Sequence, residues 1–287
     1  MYIYLYDRTD RLGAHIISYL SQILYAYNNK YYIKYNKNKE EYRYYNSIFV
    51  KTLFNYIEKY NNELQEYDKI LINSVEIFSQ DYISITSIVL QNIKLDFISF
   101  FYKNIYNDIE TCFSNFTLLY NIPFDINKTI LVHLRLDDVS NRPDYDGSIC
   151  SNYYKNKIKN NENCVCEFYN VINNQAPLSK QKMDYIINKA KNDFPEFKVI
   201  LITSPNSDTS FLKYNYEIIK SNDENLDLFF LTMCKVVILS RSTFALSSMF
   251  FNKNKIKSYI PLWGHFVCCG LDTIYDKNDK SKIEYFV

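Results

Sequence analysis

The stretch Thr129–Asp138, TILVHLRLDD, constrains this chain most. It alternates as a strand does: Ile130, Val132, Leu134 and Leu136 fall on one face, and Leu131, His133 and Arg135 on the other. A His and an Arg at the end of a buried strand cost free energy unless a partner meets them. In open α/β sheets that end of a strand is where ligands bind. A phosphate suits the place, because a guanidinium presents paired donors to its oxygens. A structural ion pair is the plain alternative.

The surrounding chain predicts an α/β fold. Tyr2–Tyr6 reads as a strand, Asp7–His15 as a loop, and Ile16, Ile17, Leu20, Ile23, Leu24 and Tyr27 as one helical stripe. Tyr31–Tyr35 is a second strand, which makes a β–loop–α–β opening. Ser47–Asn61 reads as a helix, and Lys69–Asn73 as a short strand. The best boundary is Asn121-Ile122-Pro123-Phe124-Asp125, which divides the chain into residues 1–127 and 128–287. Beyond the central strand, Cys150–Tyr154 opens a helix with Ser151 at its N-cap. Asn160–Pro177 is a polar loop and Lys180–Asn192 a helix. Phe197–Thr203 is a strand, Asn225–Lys235 a helix, Val236–Leu239 a strand and Phe244–Phe251 a helix. Strand and helix alternate, as a parallel sheet requires.

Bulk properties narrow the functional classes. Lys and Arg number 33 against 32 Asp and Glu, a formal charge of +1, which argues against electrostatic capture of nucleic acid. The 47% hydrophobic content of these 287 residues allows a sizeable core. Tyr 29 and Phe 20 beside Gly 4, with abundant Asn, Lys and Ile, is the composition an AT-rich genome encodes. The 7 cysteines are an odd number at irregular spacing, so reduced thiols are expected. The longest later apolar run, Leu226–Leu239, is too short to span a bilayer and carries Lys235. With no leader visible, the expected setting is cytoplasmic, with no membrane span.

Polar clusters follow three of these strands: His133, Arg135 and Asp138; Ser204, Asn206 and Asp208; and Ser240, Ser242 and Thr243. A parallel sheet delivers all its strand C-termini to one edge, so the three should converge. Hydroxyls at the mouth of a helix suit an anion, though Ser and Thr are also ordinary N-caps. The first loop, Asp10-Arg11-Leu12-Gly13-Ala14-His15, reads as polar and exposed. Gly13 would allow a tight turn, and His15 would face a hydroxyl-rich acceptor. Asp144-Tyr145-Asp146 spells D-x-D, two carboxylates so spaced that they could hold a metal ion against a diphosphate.

The motifs, in this order, resemble those of the alpha-1,2-fucosyltransferase family and its wider superfamily. His133-Leu134-Arg135-Leu136-Asp137-Asp138 resembles H-x-R-R-x-D, and Asp146–Tyr154 is similar to H-G-x-C-S-x-x-Y-Y. Thr203–Asp208 stands where the family has F-S-D-D. Asp227–Lys235 followed by Ser240–Ala245 resembles D-L-x-x-M-S-x-C-K…N-S-T-F-S-W-W. Ile260–Trp263 looks like A-P-x-x-W, and Asp10–His15 like G-G-L-G-N-Q.

The resemblance implies a GT-B-like fold: two Rossmann-like domains with mostly parallel sheets, acceptor side in residues 1–127 and nucleotide sugar in 128–287. It implies a GDP-fucose donor, a glycan acceptor, inversion, no cofactor and no metal. Arg135 would grip the β-phosphate, and His133 and Asp138 would position it. Ser242, Thr243 and the adjoining Phe244 would hold the pyrophosphate segment. Ser204, Asn206 and Asp208 would line base and ribose. Inversion needs a general base, for which Asp138 and Asp144 are the candidates. Three departures stand out: Leu136 replaces the second Arg, Pro205 and Asn206 enter the F-S-D-D loop, and Leu246–Ser247 replaces the Trp pair. These admit a related deoxysugar, another nucleotide, or a binding module without turnover. A metal-dependent transferase using Asp144 and Asp146 is the remaining alternative.

Overall fold

The computed structural model describes residues 2–5, 7, 11–36, 38–67, 76–77, 100, 103–136, 175–213, 215–251, 255–263 and 282–286. The chain is α/β and divides into two compact units, Met1–Tyr120 and Asn121–Val287.

In the first unit, β1 (Tyr2–Tyr4) is flanked by β2 (Tyr32–Lys34) and β3 (Glu76–Ile77), both parallel to it. Helix α1 (Leu12–Asn29) joins β1 to β2, and α2 (Ile48–Tyr67) follows β2. Of the helical stripe expected from Ile16 to Tyr27, the residues up to Leu24 are buried and Tyr27 is exposed, and α1 ends at Lys30 in the left-handed region (φ 55). Its amide closes the helix on the carbonyls of Ala26 and Tyr27. Helix α3 (Tyr106–Leu119) packs on α2. The expected strand Lys69–Asn73 lies outside the described residues.

The second unit carries the larger sheet. Its strands are β4 (Thr129–His133), β5 (Lys198–Thr203), β6 (Glu217–Lys220), β7 (Val236–Ile238), β8 (Lys257–Pro261) and β9 (Ile283–Phe286). They lie in the order β6-β5-β4-β7-β8-β9, every pair parallel. Counted along the chain, that is 3-2-1-4-5-6, the order of doubly wound nucleotide-binding sheets. The chain steps outward from β4 to β6, then returns to lay β7 on the other side of β4. Connections leave in opposite directions from the C-terminal ends of β4 and β7, which opens a crevice between them.

The face read from sequence as apolar is the core. Ile130, Val132, Leu134 and Leu136 pack with Val199, Leu201, Val236 and Ile238. Met183, Ile186, Ile187 and Ala190 of α4 (Lys180–Asp193) cover them. Each large apolar side chain so buried contributes about 1.5–3 kcal/mol. That burial fixes the register and so decides which face His133 and Arg135 occupy. Ser179 caps α4 by accepting from the Lys182 amide. Asp223 caps α5 (Glu224–Met233) by accepting from the amides of Asn225 and Leu226. Helix α6 (Thr243–Ser247) is shorter than the expected Phe244–Phe251, because its last turn tightens into a 3-10 turn at Ser248–Phe250.

Candidate functional site

The register places the three polar clusters along one sheet edge. His133 pairs with Ile202, so Thr203 and Ser204 begin beside it. Val132 pairs with Ile238, so Ser240 follows at the same level on the other side. His133 Nδ1 and Ser240 Oγ share a hydrogen bond of 2.6 Å, which ties the end of β4 to the end of β7 across the crevice. Burial, and then the charge of Arg135, push the His133 imidazolium down to about 3. His133 is therefore neutral near pH 7. It is a fixed link between strands rather than a proton acceptor tuned for catalysis.

Arg135 follows on the same face, half-buried. Its Nη1 donates to the Gln175 amide oxygen and, at 3.5 Å, to the Arg241 carbonyl. Arg241 is 1% exposed, and its own Nη1 donates to the Ala176 carbonyl at 3.3 Å. Two guanidinium groups, one from each side of the crevice, thus engage consecutive residues of a third segment, Gln175 and Ala176. Among the described residues, neutral oxygens accept from Arg135 and a hydroxyl meets His133.

Ser242 occupies the N-cap position of α6 (φ -143, ψ 129), yet its hydroxyl makes no capping hydrogen bond. Ordinary capping does not account for that residue. Thr243 and Phe244 are partly exposed beside it, and the Phe244 ring lies 5.8 Å from that of His133. At five residues, α6 is too short for its dipole by itself to carry an anion site.

The second cluster lies on the same edge but turns inward on itself. Thr203 Oγ1 donates to Ser207 Oγ at 2.8 Å, and Ser204 Oγ meets Ser207 Oγ at 2.8 Å. Lys220 Nζ donates to the Ser207 carbonyl at 2.7 Å. Asn206 is exposed. Asp208 is exposed and accepts from the Ser210 amide at 2.9 Å, and the Ser210 hydroxyl and amide hold its carboxyl below the usual range. Asp138, Asp144 and Asp146 lie outside the described residues.

The expectation for the first loop needs correction. Gly13 and His15 belong to α1, which begins at Leu12, and His15 is 0% exposed rather than facing solvent. His15 Nδ1 lies 3.0 Å from Asp7 Oδ1, which also accepts from the Tyr19 hydroxyl at 2.6 Å. Asp7 Oδ2 accepts from the Arg43 amide at 2.9 Å. Tyr19 and Tyr44 enclose the imidazole, with ring centroids at 5.8 and 5.1 Å. Burial pushes the Asp7 carboxyl up, but the bonds from His15, Tyr19 and Arg43 outweigh it and hold it low. An imidazole closed in this way cannot meet an acceptor hydroxyl.

Two residues of the β4–β7 site escaped the sequence reading. Arg241 had a signal, since it stands in a hydroxyl run just after a buried strand, the same setting that singled out Arg135. Gln175 had none. Leu136, where the motif has a second Arg, belongs to the core face. Position 136 cannot turn a cation toward Arg135 without a change of register. Leu246, in place of the first Trp, is 0% exposed.

Among the described residues, no group of three or more His, Cys, Asp or Glu side chains could hold a metal ion, and no helix is long and apolar enough to cross a membrane. Of the cysteines described, Cys112 and Cys234 are free thiols, and burial pushes Cys234 up to about 12. No protein-family model, no curated protein and no solved structure matches this chain.

Proposed function

We propose that this chain is an inverting glycosyltransferase that uses no metal and moves fucose, or a related deoxysugar, from a GDP-sugar to a glycan hydroxyl. In this reading the two units form a GT-B arrangement, the second taking the donor and the first the acceptor. One observation carries it: Arg135 and the Ser240–Thr243 segment meet at the switch point of a 3-2-1-4-5-6 parallel sheet. That is where such sheets receive nucleotides. Charge grows on the diphosphate as the glycosidic bond breaks, and a guanidinium fixed beforehand stabilises it without reorganising. His133 holds Ser240 in place. Ser242 and Thr243 supply hydroxyls to the same diphosphate. The acceptor proton passes to a carboxylate, for which Asp138 and Asp144 remain the candidates.

The test is product formation with GDP-, UDP- and dTDP-sugars, with and without chelator, for the wild type and Arg135→Ala. Transfer from the GDP-sugar should persist in chelator. It should fall on the order of a thousandfold in Arg135→Ala, with thermal unfolding unchanged. Wild-type rates in that variant would refute the assignment. A second reading, a binding module without turnover, draws on the buried Leu136 and Leu246 where the motif has Arg and Trp. It predicts tight nucleotide-sugar binding with no product for any acceptor.

A further inference from the structure

The partner of Arg135 is itself informative. Gln175 is held from behind: Ala176 is 1% exposed, Leu178 lies in the core cluster, and Ser179 caps α4. Arg241 fastens the same segment through the Ala176 carbonyl and gives its own carbonyl to Arg135. The Gln175 side chain therefore leaves an anchored backbone, and its amide oxygen accepts from Arg135 Nη1. A phosphate bound at this guanidinium would need the same donor.

We propose that Gln175 is a built-in competitor for the Arg135 guanidinium and so sets the affinity of the site for phosphate oxygens. This rests on the diphosphate-binding reading and adds a residue to it. Until a ligand binds, the amide keeps a half-buried cation hydrogen-bonded and oriented. On binding, one acceptor replaces another. A neutral amide suits that exchange, because a charged phosphate makes a stronger, bidentate contact and displaces it. A glutamate at 175 would not yield, since its carboxylate matches the guanidinium as well as the ligand does. Arg241 acts as a positioning residue, since it fixes both the strap and one acceptor of Arg135.

The experiment is calorimetric titration with inorganic pyrophosphate and with GDP. It compares the wild type, Gln175→Ala, Gln175→Glu, Arg135→Ala and the Arg135→Ala/Gln175→Ala double variant, with thermal unfolding as the folding control. Gln175→Ala should tighten binding by about tenfold or more, the worth of one hydrogen bond to a charged group. Gln175→Glu should weaken it by at least about tenfold. In the Arg135→Ala background, Gln175→Ala should change nothing, because competitor and contested donor act as one unit. Weaker or unchanged binding in Gln175→Ala overturns the competitor, as does equal tightening with and without Arg135. If Arg135→Ala weakens binding while both Gln175 variants match the wild type, the competitor alone falls. If the wild type binds neither probe, or Arg135→Ala binds as well as wild type, the diphosphate reading falls and takes the competitor with it.

Discussion

Each unit has a switch point at its first strand, and each places a buried histidine there, but the two are built to opposite ends. In the first sheet, β1 lies between β2 and β3, and the chain after it closes Asp7, His15 and Tyr19 into one cluster. Both Asp7 oxygens are engaged within it, and aromatic rings wall off the imidazole. In the second sheet, β4 lies between β5 and β7, and His133 spends its bond on Ser240 of the neighbouring strand. Arg135 stays partly exposed and donates to Gln175 and to the Arg241 carbonyl. An acid beside a buried histidine makes a closed cluster. At His133 it is burial, aided by the charge of Arg135, that keeps the imidazole neutral.

Leu136→Arg sharpens the contrast most. On the core face it would bury an unpaired charge and cost about 3–5 kcal/mol, read by urea denaturation. A tolerated variant with tighter pyrophosphate binding would show that position 136 can reach the site, and the placement of the two faces would be wrong. Asp7→Asn comes next. It removes the charged acceptor of Tyr19 and should cost about 1–3 kcal/mol near neutral pH. The Asp7 pKa is depressed on folding, so its contribution is present above the unfolded value near 4 and is lost as pH falls through the folded value. The cost of Asp7→Asn should vanish in acid, and binding of pyrophosphate should stay within about twofold of wild type throughout.

Asp227 gives an effect of similar size and opposite sign. It is 9% exposed, and burial pushes it up to about 7 against an unfolded value near 4. Folding there favours the protonated acid, so stability is greatest at low pH and falls as pH rises from about 4 to 7. Asp227→Asn should therefore be neutral at pH 4 and stabilise by about 1–3 kcal/mol at pH 8, where the wild type buries a charge. A variant no more stable at pH 8 than wild type would mean that Asp227 has donors enough to stay ionised.

The central strand was legible because its apolar alternation and its polar end say different things, one about the core and one about the edge. Helices α1, α2, α4 and α5 were legible from their stripes. Strands β3, β6, β8 and β9 were missed: β3, β6 and β9 are short sheet edges, with β6 burying only part of Ile218 and Ile219 between charged ends, and the apolar part of β8 is a short run between Lys257 and Pro261. Helix α3, rich in Asn, Thr and Ser, gave no clean stripe. At the site, Arg135 could be read from its own strand, but its partners could not. Gln175 and Arg241 reach it from 40 and 106 residues away, a pairing that only the order of strands determines. The burial of His15 was hidden for the same reason, since Asp7 and Tyr44 close over it from separate segments.

The most direct test is to follow the backbone amides by NMR while GDP is added. Leu134–Leu136 and Ser240–Phe244 should shift together, saturating at one affinity, while the amides of Leu12–Tyr19 hold still. Shifts confined to Leu12–Tyr19, or none at the ends of β4 and β7, would contradict a diphosphate site at that crevice.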